Sequence, residues 1–288
     1  MELVQTLVNG VLLGGLYGLI GLGLSINFGI MRLVHLAHGE LVVLGAYFLV
    51  VGLVPLGLPP LVAAAVVVPA MFVVGWALQR FIIQRALGRG VLPPLIVTFG
   101  LSMVMQNALL LWMTADARTL HTPLASAGAP LGGITVPLIR LVDFGVGLSC
   151  LAALLVLLGR TALGRALRAT SDDPETARTM GIDTARMFAV AGGIAAALGG
   201  VAGMLLAATS TFYPSTGSEV LLIAFEVVVV GGLGSITGTF VGGILLAVAQ
   251  LLGARFLGPS YALVAGHMVF LLVLLFRPQG LMPRTAPG

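Results

Sequence analysis

Residues 160–186 read RTALGRALRATSDDPETARTMGIDTAR, and the stretches on either side, 144–159 and 187–218, contain no charged residue. Five of the chain's 14 Arg (Arg160, Arg165, Arg168, Arg178, Arg186) and four of its 10 acids (Asp172, Asp173, Glu175, Asp183) fall in these 27 residues. Such a segment cannot lie in lipid, where ionised side chains are costly. It sits in water or against another protein, held between two apolar spans.

The rest of the chain is membrane-seeking. Hydrophobic residues make up 59% and charged residues 8%, against about 25% charged in soluble domains, and the mean hydropathy is +1.13. A bilayer crossing takes roughly 20 apolar residues with the backbone hydrogen-bonded internally, so the spans are expected to be helices. The uncharged runs are too long for barrel strands of ~10 residues with alternating polarity. They cover 3–31, 41–79, 90–115, 144–159, 187–218, 227–254 and 256–276. Pro55-Leu56-Gly57-Leu58-Pro59-Pro60, Phe212-Tyr213-Pro214 and Gly231-Gly232-Leu233-Gly234 break the longest of these, because proline removes a donor and clashes with the preceding turn. The expectation is an all-α polytopic membrane protein of eight or nine helices, some broken or re-entrant, forming one domain over 1–288. Gly pairs such as Gly14-Gly15, Gly199-Gly200 and Gly242-Gly243 read as seams of close helix packing.

Placing 31–38, 80–90, 160–186 and 277–288 in the cytoplasm puts eleven of the 14 Arg inside and leaves Arg118, Arg140 and Arg255 outside. This satisfies the positive-inside rule with a cytoplasmic C-terminus. The N-terminal side depends on whether 32–54 crosses or re-enters. The start MELVQTLVNG lacks a basic n-region, which favours a retained helix over a signal peptide. The Pro-, Gly- and Thr-rich connector 116–143 is the largest on the outer side.

Several functions are excluded. The chain has no Lys, so it lacks the lysine of a G-x-x-x-x-G-K-[ST] phosphate loop and of Schiff-base chemistry; any ATP it depends on is bound by another chain. Cys150 is the lone cysteine, which rules out an internal disulfide, and no His and acid set has metal-ligand spacing. No basic stripe interleaved with aromatics points to nucleic acid.

Within 160–186 the local signals are specific. Asp173-Pro174-Glu175 is a helix start: Asp accepts from first-turn amides, Pro suits the first helical position, and Glu complements the positive dipole end. Gly181 supplies a left-handed stop, predicting a short helix from Pro174 to Met180, with Asp183 capping the next span. A helix of two turns is too short to persist alone in water and needs bracing.

The run Glu175-Thr176-Ala177-Arg178-Thr179-Met180-Gly181 resembles the E-A-A-x-x-x-G signature of ABC importer permeases, with Thr176 in place of Ala. Met31-Arg32-Leu33-Val34-His35-Leu36-Ala37-His38-Gly39-Glu40 is similar to a stretch around N-F-A-H-G in one branch of that family, the branched-chain amino acid permeases, with His35 and Leu36 replacing Asn and Phe. Thr98-Phe99-Gly100-Leu101-Ser102 followed by Gln106-Asn107 resembles its T-x-G-L-S…Q-N helix. Gly231-Gly232-Leu233-Gly234-Ser235 with Gly238 and Gly242-Gly243 matches its G-G-x-G-S-x-x-G…G-G run, and Arg277-Pro278-Gln279-Gly280-Leu281 its R-P-x-G-L ending. Five matches in order span nearly the whole chain.

The resemblance implies a transmembrane permease subunit in the bacterial inner membrane that pairs with a second homologous permease. Two cytoplasmic ATPase subunits would carry ATP and Mg, and a periplasmic amino-acid-binding protein would deliver substrate; this chain would hold no cofactor and catalyse no covalent step. It assigns Asp173, Pro174, Glu175, Thr176, Ala177, Met180, Gly181 and Ile182 to ATPase coupling.

Ionisable groups at membrane depth face a cavity or a partner. His38-Gly39-Glu40 is either an interfacial helix start or the broken end of a helix lining the route. Thr98, Ser102 and Gln106 share one helix face, as interhelical hydrogen-bonding groups or as a hydrated stripe. Glu226 either meets a substrate ammonium group or pairs with Arg or His on a neighbouring helix; lying outside the recognised motifs, it favours pairing. His267 reads as a core imidazole. Gly231, Gly232, Gly234, Ser235 and Gly238 mark a turn or kink that suits an inner gate. Import of another small polar solute such as urea or an amide remains an alternative cargo. A proton-coupled transporter with Glu226 and His267 as relay is the alternative mechanism. A membrane enzyme is disfavoured, because no nucleophile-base pair is evident.

Overall fold

Each apolar run becomes a helix, and the places where the runs break position the site. The computed structural model describes residues 1–120, 122, 124, 127–131 and 134–282. The helices are α1 (Glu2–Met31), α2 (His38–Tyr47), α3 (Pro60–Phe81), α4 (Leu92–Met113), α5 (Leu138–Arg160), α6 (Ala162–Asp172), α7 (Pro174–Thr179), α8 (Thr184–Thr209), α9 (Thr216–Gly231), α10 (Ile236–Leu257) and α11 (Ala262–Phe276). A π-helical turn, Phe48–Leu53, and a 3-10 turn, Val54–Leu56, extend α2 toward the Pro-Gly break.

Among the described residues, eight helices are long and apolar enough to cross a bilayer: α1, α2 with its extension, α3, α4, α5, α8, α10, and α11 with the turn before it. Three helices are left over, α6, α7 and α9; the longest of them, α9, has 16 residues and rises about 24 Å, short of the ~30 Å hydrocarbon core. One face of it is packed inside the protein, with Val220, Ala224 and Glu226 to Gly231 buried, while Glu219, Leu222 and Phe225 are exposed.

Small residues set the packing. Gly10, Gly14 and Gly18 lie at four-residue intervals on α1, and an added Cβ at each would press on Val248, Ile244 and Phe240 of α10. The two helices therefore run antiparallel in close contact. Gly15, one residue on, turns instead to Phe144 of α5. On α8, Gly200 lies under Met71 of α3, and Gly203 lies under the Val42 carbonyl of α2. The largest core cluster joins α1, α5, α8, α9 and α10.

The connector before α5 contains a short antiparallel hairpin, β1 (Gly128–Leu131) and β2 (Ile134–Pro137), in the register Gly128↔Pro137 and Leu131↔Ile134. It adds a strand pair to an otherwise all-α chain. Residues 121, 123, 125, 126, 132 and 133 of this connector, and 283–288 of the tail, lie outside the described residues. Arg118 and Phe212 exchange backbone hydrogen bonds of 2.9 Å, which tie the connector to the turn between α8 and α9.

Candidate functional site

The polar segment folds as two helices. Thr161 caps α6 by accepting from the Gly164 amide at 3.0 Å, and Gly164, Leu167, Thr170 and Ser171 form its buried face. From the sequence alone no helix is named in this part, although Leu163, Leu167 and Ser171 at four-residue spacing carry the signal of an amphipathic helix.

After it comes α7. Asp173 Oδ1 accepts from the amides of Glu175 (3.0 Å) and Thr176 (3.2 Å), and its Oδ2 accepts from the Thr176 hydroxyl at 2.5 Å. The Thr176 hydroxyl, then the Thr176 and Glu175 amides, hold the Asp173 carboxyl below the usual carboxylate range. Thr176, the departure from the family pattern, is thus part of the cap. The helix ends one residue earlier than the expected Met180, which becomes the C-cap. Gly181 at φ +84° turns the chain, so the Ile182 amide reaches the Ala177 carbonyl at 3.0 Å. Asp183 caps α8 by accepting from the Arg186 amide at 2.9 Å, and Arg178 Nε donates to Thr184 Oγ1 at 2.7 Å.

Ala177 faces inward, whereas Glu175, Thr176, Arg178, Thr179, Met180 and Gly181 are exposed, Met180 at 78%. A short helix fixed at both ends holds this surface out from the bundle.

The N-terminus of α2 lies alongside residues 20–23 of α1, well short of that helix's end. His38 is buried and donates from Nε2 to the Ile20 carbonyl at 2.9 Å. Gly39 packs backbone to backbone on Gly217 of α9, and Gly217 in turn leaves room for the Glu40 carboxylate. Ser102 of α4 donates to Glu40 Oε1 at 3.3 Å. The structure thus joins His38, Gly39, Glu40 and Ser102 at a helix that starts inside the bundle and not at its surface. Thr98 is buried and bonds to the Leu95 carbonyl of its own helix. Gln106 is half-buried beyond Ser102, while Asn107 is exposed and bonds to the Met103 carbonyl. Glu226 lies apart from this cluster and pairs with His267 Nδ1 on α11.

Gly232 (φ +112°) and Gly234 (φ +78°) make the turn between α9 and α10, and the Ser235 hydroxyl caps α10 by accepting from the Gly238 amide at 3.2 Å. The C-terminal segment closes over this turn: the amides of Leu281 and Met282 donate to the carbonyls of Val230 and Gly231, each at 2.9 Å. Two separately recognised segments therefore meet, and the carbonyls at the end of α9 find partners. Gly234 and Ser235 also line a cavity of about 260 Å³ with Ser25, Gly29, Arg168 and Ser171, linking the turn to α6.

A second cavity, about 300 Å³, lies at the end of the bundle opposite α7 and is lined by Arg140, Asp143 and Glu219. The sequence reading passed over these residues as a functional group. Arg140 and Asp143, one turn apart near the start of an apolar helix, were the visible signal.

The family model for the permease component of branched-chain amino acid transport systems matches residues 6–276. The chain is 32% identical to the high-affinity branched-chain amino acid transport permease BraD of Pseudomonas aeruginosa, over 98% of this chain and 96% of that protein. It is 31% identical to LivH of Escherichia coli K12, again over 98% and 96%. A shorter likeness, 37% over 130 residues, reaches LivM of the same organism and covers 44% of this chain and 30% of LivM. No solved structure matches. The polytopic helical fold and these full-length likenesses agree, and the chain belongs to the branched-chain amino acid transport permeases.

Proposed function

We propose that this chain is a transmembrane subunit of an ATP-binding cassette importer that moves branched-chain or related neutral amino acids across the bacterial inner membrane by alternating access. Its C-terminus and α7 face the cytoplasm. A second permease related to LivM, or a second copy of this chain, completes the pathway. Two ATPase subunits carry ATP and Mg, and a periplasmic amino-acid-binding protein loads the outer face.

The observation that carries this reading is α7. A helix of six residues is unstable by itself, yet this one is capped at both ends and presents Glu175, Thr176 and Met180 outward. Rigid display of an exposed patch suits docking into a groove of an ATPase. Because α6 and α7 connect α5 directly to α8, a push on α7 is transmitted to two spans. The turn at Gly231 to Gly238, closed by Gly280 to Met282, lies beside the inner cavity and suits an inner gate. The cluster of His38, Glu40 and Ser102, where α2 starts inside the bundle, suits a hinge or a pathway lining.

Glu226 and His267 pair with each other, as the alternative of proton coupling requires, so that alternative is decided by whether uptake survives collapse of the proton gradient. The test of the importer reading is gentle purification from the native membrane, with identification of the accompanying chains. An ATPase pair and a second permease are expected with the wild type, and the ATPases are lost with Gly181→Asp or Glu175→Arg. Retention of the ATPases by both variants would remove α7 from coupling.

A further inference from the structure

The cavity opposite α7 has features that the coupling account does not use. Arg140, in the first turn of α5, and Glu219, in the first turn of α9, both line it. Neither has a hydrogen-bond or ion-pair partner among the described residues, where the ion pairs are Glu2–Arg255 and Glu226–His267. Opposite charges facing one small space attract, and these two do not close on each other. The same cavity wall contains Asp143, fully buried, with neither carboxylate oxygen hydrogen-bonded; it lies one turn from Arg140 and interacts with it electrostatically without forming an ion pair, so the guanidinium keeps its donors free.

The rest of the lining combines aliphatic side chains, among them Leu16 and Ile20 of α1 and Val220 and Ile223 of α9, with hydroxyl-bearing ones, Tyr17 of α1 and a set running from Thr209 to Thr216. A volume of about 300 Å³ lies at the lower end of the ~300–1,000 Å³ typical of small-ligand pockets.

We propose that Arg140 and Glu219 form a binding site for the zwitterionic backbone of an α-amino acid, whose aliphatic side chain packs on the apolar wall of the same cavity. The planar guanidinium of Arg140 offers two parallel donors to a carboxylate, and Glu219 accepts from the ammonium group. The ligand bridges two charges that the fold holds apart, and it does so with the polarity of a free amino acid. A urea or amide cargo has neither the carboxylate for Arg140 nor the ammonium for Glu219. The site lies at the end remote from α7, so it serves as the first station for substrate entering the membrane. This deepens the importer reading and rests on it.

The test uses the assembled transporter in nanodiscs without the binding protein, titrated with radiolabelled leucine. Saturable binding is expected, with 4-methylpentanoate (no amine) and 3-methylbutylamine (no carboxylate) competing about tenfold or more weakly. Arg140→Gln and Glu219→Gln should each weaken leucine binding by about tenfold or more. Glu219 is exposed, so Glu219→Gln tests the site even if Arg140→Gln does not assemble. Wild-type leucine binding by Glu219→Gln, or competition by either analogue as strong as that of unlabelled leucine, would overturn the assignment. So would the absence of saturable binding to the assembled wild type. ATP-driven leucine uptake by the wild type with its binding protein separates the two levels. If uptake occurs and these results fail, the site is wrong and the importer reading stands; if there is no uptake, the importer reading itself fails.

Discussion

Gly181→Ala isolates the contribution of one backbone angle to the proposed coupling helix. Gly181 has φ +84°, and a Cβ added there meets nothing within 4 Å, so the substitution introduces no clash. What remains is the cost of a left-handed conformation for an L-residue, about 1–2 kcal/mol. That conformation allows the Ile182 amide to reach Ala177 and the Gly181 amide to reach Arg178, both at 3.0 Å. Weakening the turn by this amount raises the open population about 5- to 30-fold. Amide exchange at 181 and 182 should accelerate by the same factor, while exchange in α5 and α8 stays unchanged. Gly159→Ala is the matched control, since its Cβ also meets nothing within 4 Å but it lies in the regular helix α5. Gly181→Asn, which tolerates the left-handed region better, should fall between. Equal exchange at 181 and 182 in Gly181→Ala and Gly159→Ala would refute the claim that a left-handed glycine fixes the end of α7.

Three further outcomes follow from other parts of the molecule. Gly39→Ala drives a Cβ into the Gly217 carbonyl oxygen and close to the Leu221 nitrogen, both backbone atoms that cannot swing away; it should destabilise by about 3 kcal/mol or more. Gly100→Ala, in open space on α4, should be neutral or stabilising by up to about 1 kcal/mol, and thermal unfolding in detergent distinguishes the two. Glu226→Gln should leave ATP-driven uptake intact, whereas His267→Leu should be the more destabilising, because it strands a buried carboxylate; loss of uptake in Glu226→Gln would revive the relay. Since Asp173 has its carboxyl depressed by Thr176 and Glu175, its contribution to α7 is present above the ordinary Asp pKa of about 3.9 and is lost as pH falls through the lower folded-state value. Thr176→Ala should move that loss to higher pH, and amide exchange of 175–180 across the acid range would measure it.

What could be read from the sequence followed from how local the governing physics is. A bilayer imposes its demand on each run of about 20 residues, so the spans and the Pro-Gly breaks were visible along the chain. Asp173, Pro174 and Gly181 act within a few residues, so α7 was legible almost to the residue. The shortness of α9 was not, because the uncharged stretch 227–254 runs through the Gly turn and Glu226 divides the helix from its own start. The hairpin of Gly128 to Pro137 was hidden, since four-residue strands in a Pro- and Gly-rich connector have little periodicity.

Pairings between distant segments were the least visible. Glu40 and Ser102 are 62 residues apart, and nothing in either segment announces the other. Gly232 and Gly280 were both recognised, yet only their close approach shows that the C-terminal tail closes the turn. Arg140 had been counted as an outer charge and Glu219 was passed over. Their common cavity depends on how α5 and α9 pack around α1, which no local pattern specifies.

The central claim is that ATP hydrolysis on separate subunits drives substrate through this chain. The most direct measurement is leucine uptake into vesicles reconstituted with this permease, its partner permease, the ATPases and the binding protein, with and without ATP and with a proton ionophore. Uptake should require ATP and the ATPase subunits and should persist when the proton gradient is collapsed. Uptake that continues without the ATPases and disappears with the ionophore would contradict the account.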